Sequence, residues 1–317
     1  MTWFSPCIWG DADGYPGIRN FYHGTRIGRG IVNTFWSILG NDVLTLMKFD
    51  SHPKLAKLKP RTLPMFTGDS FSILNYDTDF LELVKSDLVD IHESEFDHLS
   101  PGKVHLSNGI DFESDAMLVN TGWKHVPAMQ FLPEGIDKEL GIPHLPTTEK
   151  VPEEDLANQQ DLLERADTEI LARFPRLKDQ PVWNKDYVPI TETKGIDSKD
   201  SVTPSKLTPY MLHRFIVPPS ERFLRSRDVV FVGAVGNFSN IITAHIQGLW
   251  VSAYFQGLLA NDPAKAVGDK IAMDDLRYQT VLVNRFGQWR YQSEWNKGPN
   301  FVFDAVSHIR DSAKILY

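Results

Sequence analysis

Two histidines are the side chains of this sequence best suited to move a proton. His23 could serve as a general acid or base, with Asp11 and Asp13 close to it in the chain. The aspartates lie in the turn sequence Gly10-Asp-Ala-Asp-Gly14, where Asp also favours local hydrogen bonds to the backbone. His245 lies in an apolar segment, where it could donate a hydrogen bond into a pocket or be a satisfied core histidine. Both histidines are candidate catalytic residues.

Two small polar residues, Asn237 and Ser239, lie between a predicted strand and a predicted helix. The apolar run 229–232 is typical of a buried parallel strand, and residues 239–259 have helical spacing. The first N–H groups of a helix have no partner within it, so they can polarise a carbonyl in a dry site. The position predicts catalytic roles for Asn237 and Ser239, although either could simply cap the helix.

Aromatic residues predict a hydrophobic pocket that these groups would serve. The candidate substrate-binding residues are Trp9, Tyr22, Trp36 and Trp123. Such side chains line sites for apolar small molecules, although they are also what a large core requires. We expect a hydrophobic small-molecule substrate, held between the N-terminal aromatic residues and the helix that follows Ser239.

Composition excludes several classes of function. The net charge of −8 argues against a nucleic-acid partner, which requires a basic surface. The ten histidines do not show the spacing of a metal site, and the single cysteine, Cys7, suggests a reducing compartment. No secretory signal is evident, and the apolar run 241–260 contains His245 and two glutamines, which favours a buried helix over a membrane span. We expect a cytoplasmic protein that could form a homo-oligomer.

Hydrophobic periodicity predicts helices and strands along the whole chain. The predicted helices are 32–46, 78–86, 153–174, 239–259, 274–285 and 301–315. The predicted strands are 88–92, 104–106, 116–119 and 229–232, with a turn at Asn108-Gly109. These elements indicate an α/β fold in which 116–119 and 229–232 are buried parallel strands.

Two stretches of the sequence resemble the C-terminal half of the fungal flavin-containing monooxygenases. The first runs from Gly102-Lys-Val-His-Leu-Ser-Asn-Gly109 to Asn120-Thr-Gly-Trp123, where the family has alanine in place of Asn120. The second is Arg227-Asp-Val-Val-Phe-Val-Gly-Ala-Val-Gly-Asn237 with the apolar segment after it. The resemblance implies a remnant of a two-dinucleotide-binding-domain flavoprotein fold with added helices.

The same resemblance implies one truncated domain over residues 1–317. Residues 1–125 would be the remnant of the NADPH-binding region, 126–210 a helical and loop insertion, and 211–317 the remnant of the C-terminal FAD-binding region. A dinucleotide site needs a strand, the pattern G-x-G-x-x-G and a helix. The closest string, Gly28-Arg-Gly30, has Asn33 in place of the third glycine and no apolar strand before it.

The absence of this glycine motif predicts chemistry without FAD or NADPH, because redox steps belong to those cofactors. Our leading hypothesis is a redox-neutral cyclase or isomerase, for example a Diels–Alder-type pericyclase, that acts on a hydrophobic fungal natural-product intermediate. A cavity that holds the reactive conformer, with one or two hydrogen-bond donors, would be sufficient. The alternatives are an incomplete FAD- and NADPH-dependent monooxygenase, as a fragment or a subunit, and a non-catalytic binding protein.

Overall fold

The computed structural model describes residues 3–9, 15–60, 64–66, 77, 79–120, 129–144, 153–179, 208–234 and 240–290. The chain divides into two compact units. The larger unit comprises Met1–Trp36, Pro64–Asp69 and Lys124–Tyr317, and the smaller unit comprises Ser37–Leu63 and Ser70–Trp123. The single domain with three regions expected from the sequence stays a prediction.

The larger unit is helical in its described residues. Its α-helices are α1 (Pro16–Arg19), α2 (Arg26–Met47, which continues into the smaller unit), α5 (Ile136–Leu140), α6 (Glu153–Arg173), α7 (Glu221–Ser226), α8 (Asn240–Phe255) and α9 (Lys270–Arg290). A π-helical turn, Asn20–Gly24, joins α1 to α2, and 3-10 turns occur at Pro175–Lys178 and Pro263–Ala266. Proline suits these starts because its fixed φ matches the first helical position and the missing N–H would have no partner there.

Helices α6 and α9 pack against each other through apolar and charged contacts. Ala166 and Ile170 are buried on α6, and Phe174 just after it lies 5.7 Å from Phe286 of α9 between ring centres. Asp167 accepts hydrogen bonds from Nε and Nη2 of Arg285 at 2.7 and 3.0 Å. A bidentate pair of this kind fixes the orientation of both side chains as well as holding them together.

Helix α8 packs one face into a second core. Trp250 and Tyr254 are buried and stacked, with 5.4 Å between ring centres. The other buried members of this core are Ile216, Val217, Leu224, Leu259, Ala266, Met273 and Leu276. Helix α8 is therefore anchored by a large aromatic pair with aliphatic residues around it.

The prediction of a buried parallel strand at 229–232 is wrong. No strand is formed there, and Val232 is 54% exposed. Val229 and Phe231 pack on a small apolar cluster, whereas Val230 packs on the core of α8. The N–H of Phe231 donates to the carbonyl of Ile216 at 2.8 Å, so this extended segment pairs locally with an irregular stretch.

The smaller unit carries the strands of the described chain. They are β1 (Phe96–Ser100), β2 (Lys103–Leu106) and β3 (Asp111–Glu113), in an antiparallel sheet of order β1-β2-β3. Helices α3 (Pro53–Ala56) and α4 (Phe80–Lys85) and a 3-10 turn at Phe49–Ser51 precede them. The turns of the sheet use Gly102 and Gly109 at φ of +73° and +83°, a region that L side chains rarely adopt.

The structure confirms much of the secondary structure predicted from the sequence. Helices were predicted correctly at α2, α4, α6, α8 and α9, as were strand β2 and the turn at Asn108-Gly109. The strands predicted at 88–92 and 116–119 are wrong, and Leu118 is 97% exposed. The helix predicted at 301–315 lies outside the described residues.

The fold class is confirmed at the level of mixed helices and strands, and the parallel sheet expected within it is wrong for the described part of the chain. In those residues, no helix combines the length and the apolar character needed to cross a membrane.

Candidate functional site

His23 is the predicted catalytic residue that the structure surrounds most completely. It lies in the π-helical turn Asn20–Gly24, a distortion often found at functional positions. Gly28 allows helix α2 to approach this turn, because a Cβ on it would come within 1.9 Å of the carbonyl oxygen of Phe21. Nη1 of Arg29 donates to the carbonyl oxygens of His23 and Gly24 at 3.2 and 3.0 Å, which anchors the turn from the other side.

The tautomer of His23 follows from its hydrogen bond. Its Nε2 lies 3.1 Å from the carbonyl oxygen of Trp3. A carbonyl oxygen only accepts, so Nε2 carries the hydrogen when the ring is neutral, and Nδ1 is the acceptor nitrogen.

Burial is the main cause that lowers the pKa of His23 to about 4; the positive charges of Arg19, Arg290 and Arg173 act in the same direction, and the bond to Trp3 opposes them. The ring is neutral near pH 7. It can therefore accept a hydrogen bond through Nδ1, but it cannot deliver a proton as a general acid.

Trp9 and His23 meet on the same pair of phenylalanines. The His23 ring lies edge-on to Phe174, with 5.3 Å between centres, and Phe174 packs against Phe286. Trp9 lies edge-on to Phe286 at 6.4 Å and to Phe215 at 6.1 Å. The structure thus brings these two predicted site residues into one aromatic cluster, although 14 positions separate them in the chain.

Tyr22 and Trp36 belong to a neighbouring aromatic group. Tyr22 lies edge-on to Phe4 at 4.9 Å between centres, and Phe4 stacks on Phe35 at 4.5 Å. Trp36 contacts Phe35 and donates its indole N–H to the carbonyl of Phe4 at 2.8 Å. Trp36 has no exposed surface, so in this conformation its ring is a packing element of the core. A substrate-binding role for it stays a prediction.

The remaining predicted site residues are not brought to this cluster by the described structure. His245 lies on the exposed side of helix α8, whereas the sequence favoured a position inside a buried helix. The reason is that α8 buries only the face that carries Trp250 and Tyr254. Asn237, Ser239 and Trp123 lie outside the described residues.

Sequence reasoning missed a set of buried polar residues near the same cores. Arg290 has no exposed surface, and its Nη2 donates to Oγ of Ser5 at 3.1 Å. His213 is buried, and its Nδ1 lies 3.4 Å from Oγ1 of Thr280. Burial lowers the pKa of His213 to about 3, with a further contribution from Arg214. Arg290 follows Phe286 at helical spacing, and this signal in the sequence could have indicated that its side chain is buried.

The described residues do not form a site for the pyrophosphate of FAD. Such a site needs a glycine turn that joins a strand to the N-terminus of a helix. Gly28 and Gly30 instead lie inside helix α2, where Gly28 serves close packing. Gly233 has a φ of +85°, but no strand precedes it, and its N–H donates to Oε1 of Gln247 at 3.2 Å. In the same residues no group of three or more His, Cys, Asp or Glu side chains is arranged to hold a metal ion.

Comparison with known proteins confirms the resemblance to the fungal flavin monooxygenases. The chain is 25% identical to an FAD-dependent monooxygenase of Pyrenophora dematioidea over 233 residues. This aligned region covers 72% of this chain and 39% of that protein. It is 24% identical over 238 residues to the FAD-dependent monooxygenase rstn6 of Aspergillus nomiae, and this region covers 74% of this chain and 38% of that protein. The FAD-dependent monooxygenase avaB of Aspergillus versicolor is 24% identical over 265 residues, covering 76% and 35%.

The chain therefore spans less than two fifths of the length of these curated relatives. No protein-family model and no solved structure matches it.

Proposed function

We propose that this chain is one part of an FAD-dependent monooxygenase, and that the other part of the enzyme holds the flavin. The other part would be a further segment of the same polypeptide or a second subunit. On this proposal the chain is a remnant of the two-dinucleotide-binding-domain scaffold that the sequence resembles.

The observation that carries the proposal is the unequal coverage of the two sequences. The similarity extends over 72–76% of this chain but over only 35–39% of each relative. The lack of a pyrophosphate cradle in the described residues fits this division, because the flavin would then be held by the part of the enzyme that this chain does not match.

The flavin and NADPH would supply the redox chemistry, while the protein supplies binding, orientation and electrostatics. Of this chain's own residues, the partly exposed Trp9 would contact an apolar substrate, and the buried Phe174, Phe215 and Phe286 of the same cluster would support its ring and exclude water. Neutral His23 would accept a hydrogen bond at Nδ1 and so orient a hydroxyl or amide group of that substrate.

A second candidate function is the redox-neutral cyclase that the sequence favoured. The observation in its favour is that Gly28 and Gly30 lie inside helix α2, so the closest match to the glycine motif in the sequence is not a dinucleotide-binding turn. In that case the substrate-binding cluster would act alone, and the protein would need neither FAD nor NADPH.

A domain replacement separates the two candidates. In a chimaera, this chain takes the place of the segment of the Pyrenophora dematioidea enzyme that it matches. The FAD content of the purified chimaera is read from its visible spectrum. We expect the chimaera to retain FAD and to consume oxygen with NADPH, and the isolated chain to take up no FAD. A chimaera without FAD contradicts the proposal, as does stoichiometric FAD uptake by the isolated chain. Turnover of a polyene substrate by the colourless isolated chain would favour the cyclase.

A further inference from the structure

Helix α8 exposes an apolar face that carries no charge. Ile241, Ile242, Leu249 and Phe255 are 86%, 56%, 54% and 47% exposed. His245 lies on this side as well, and no residue from Ile241 to Phe255 is Asp, Glu, Lys or Arg. The opposite face, with Trp250 and Tyr254, is fully buried. Scattered apolar residues are normal on a protein surface, but a whole helix face without charge marks an interaction site. We call these exposed residues the α8 face.

Small residues follow the middle of the α8 face. Ala244, Gly248 and Ser252 recur every four positions and are exposed, so they form one line along the helix. A Cβ on Gly248 would meet no atom of the described residues within 4 Å, so no contact among those residues requires glycine there. Small residues between larger apolar ones allow another backbone to pack closely against a helix. The shape of this face therefore suits a regular element of a protein partner.

We propose that the α8 face docks the FAD-carrying, dinucleotide-binding part of the monooxygenase, on the same polypeptide or on a second one. This inference rests on the proposed function. More than three fifths of each relative lies outside the region matched by this chain, and that part needs a surface to pack on. The α8 face offers a strip about 24 Å long from a 16-residue helix.

The composition of helix α8 argues against a lipid surface as the occupant. Helices that lie on membranes carry Lys and Arg along the polar face, where these residues meet anionic headgroups. Helix α8 has none on any face. The polar residues on its exposed side are His245 and Ser252, and the exposed Gln256 follows directly after the helix; such side chains suit hydrogen bonding across a protein interface.

The test compares Asp substitutions in the isolated chain and in the chimaera described above. Ile241→Asp and Leu249→Asp place a charge on the α8 face. Ile271→Asp is the matched control, because Ile271 is 82% exposed and is the second residue of α9, as Ile241 is of α8. In the isolated chain, each variant should shift the melting temperature by less than about 2 °C, as expected for exposed positions.

In the chimaera, Ile241→Asp and Leu249→Asp should each lower the melting temperature by about 5 °C or more and release FAD on gel filtration. Ile271→Asp should change neither quantity. If the chimaera retains FAD and the α8 variants behave like the control, the docking inference is overturned while the proposed function stands. A wild-type chimaera that holds no FAD overturns both.

Two further outcomes also overturn the inference. The first is a concentration-dependent dimer of the isolated chain that Leu249→Asp dissociates, measured by sedimentation, because it assigns the face to a second copy. The second is binding of the isolated chain to phosphatidylserine vesicles that Leu249→Asp abolishes, because it assigns the face to a membrane.

Discussion

Helices α6 and α8 belong to the same unit, and their exposed faces are of opposite kinds. The exposed side of α6 carries Gln160, Asp161, Glu164, Arg165 and Thr168, which are all polar. The exposed side of α8 carries Ile241, Ile242, Leu249 and Phe255 without any charge. Since both helices bury one face within the unit, the difference does not lie in how they are anchored. The difference fits the proposal that a partner covers the exposed side of α8, whereas the exposed side of α6 faces water.

The first prediction contrasts the two faces of α8 and should give the largest effect. Trp250→Ala removes a fully buried ring stacked on Tyr254, so we expect the free energy of unfolding to fall by about 3–5 kcal/mol. The control is the preceding residue: Leu249→Ala should change the free energy of unfolding by less than about 0.5 kcal/mol in the isolated chain, because Leu249 is 54% exposed. Urea unfolding measures both, and equal effects would show that α8 does not pack as described.

The second prediction concerns the two buried histidines, His23 and His213, neither of which is part of α8. The pKa values of His23 and His213 are lowered to about 4 and about 3, so the folded protein holds them neutral while the unfolded chain binds protons below pH 6.5. The free energy of unfolding is therefore unaffected by these histidines above pH 6.5. It falls as the pH drops towards 4, by about 3 kcal/mol for each histidine, because only the unfolded chain gains protons there.

Urea unfolding between pH 7 and pH 4 measures this loss. His23→Gln should flatten the profile, whereas His245→Gln, at an exposed position on α8, should leave it as in the wild type. A wild-type profile without a slope in this interval would contradict the burial of both rings.

The third prediction tests how α6 is held. Asp167 accepts hydrogen bonds from Arg285 and from the indole N–H of Trp289, the latter at 2.6 Å. Burial raises the pKa of Asp167, but these bonds outweigh it and hold the pKa below its usual value. Asp167→Asn keeps the shape and removes the charge, so we expect a loss of about 2 kcal/mol at pH 7.

Because its pKa is depressed in the folded state, the contribution of Asp167 is present at neutral pH and is lost as the pH falls below the ordinary value near 4. The difference in stability between the wild type and Asp167→Asn should therefore narrow as the pH falls from 5 to 3, and a constant difference from pH 7 to pH 3 would contradict a charged carboxylate at this position.

Local patterns in the sequence predicted the helices, and non-local contacts explain what was missed. The stripe that includes Ala166, Ile170 and Phe174 was sufficient to predict α6, because helical periodicity is contained within one segment. The apolar runs 116–119 and 229–232 were predicted as buried strands, but a strand needs a partner that may lie anywhere in the chain. Residues 229–232 do not join a sheet; the N–H of Phe231 donates a hydrogen bond to the carbonyl of Ile216 instead.

The site shows the same division between local and distant information. His23 could be named as a candidate from its type alone, but its low pKa depends on burial, to which Phe174 contributes, and on the charge of Arg290, and both residues lie more than a hundred positions away. The exposure of His245 was missed because apolar residues occur on every side of α8, so its pattern does not tell which face is covered.

The last prediction compares the exposed faces of α6 and α8 directly and concerns the smallest energies. Asp161→Asn weakens an exposed pair with Arg165, in which the atoms lie 3.7 Å apart, and such pairs contribute about 0–1 kcal/mol. Ile242→Asn alters a side chain that is 56% exposed. In the isolated chain we expect both variants to unfold within about 0.5 kcal/mol of the wild type.

Their solubility should differ, because removing an apolar residue from an uncovered face reduces self-association, whereas removing a charge from a face that water already covers does not. Ile242→Asn should therefore precipitate at a higher polyethylene glycol concentration than the wild type, and Asp161→Asn at the same or a lower one. If Ile242→Asn instead unfolds more easily and gains no solubility, the α8 face is packed against this chain itself, and the contrast between the two helices disappears.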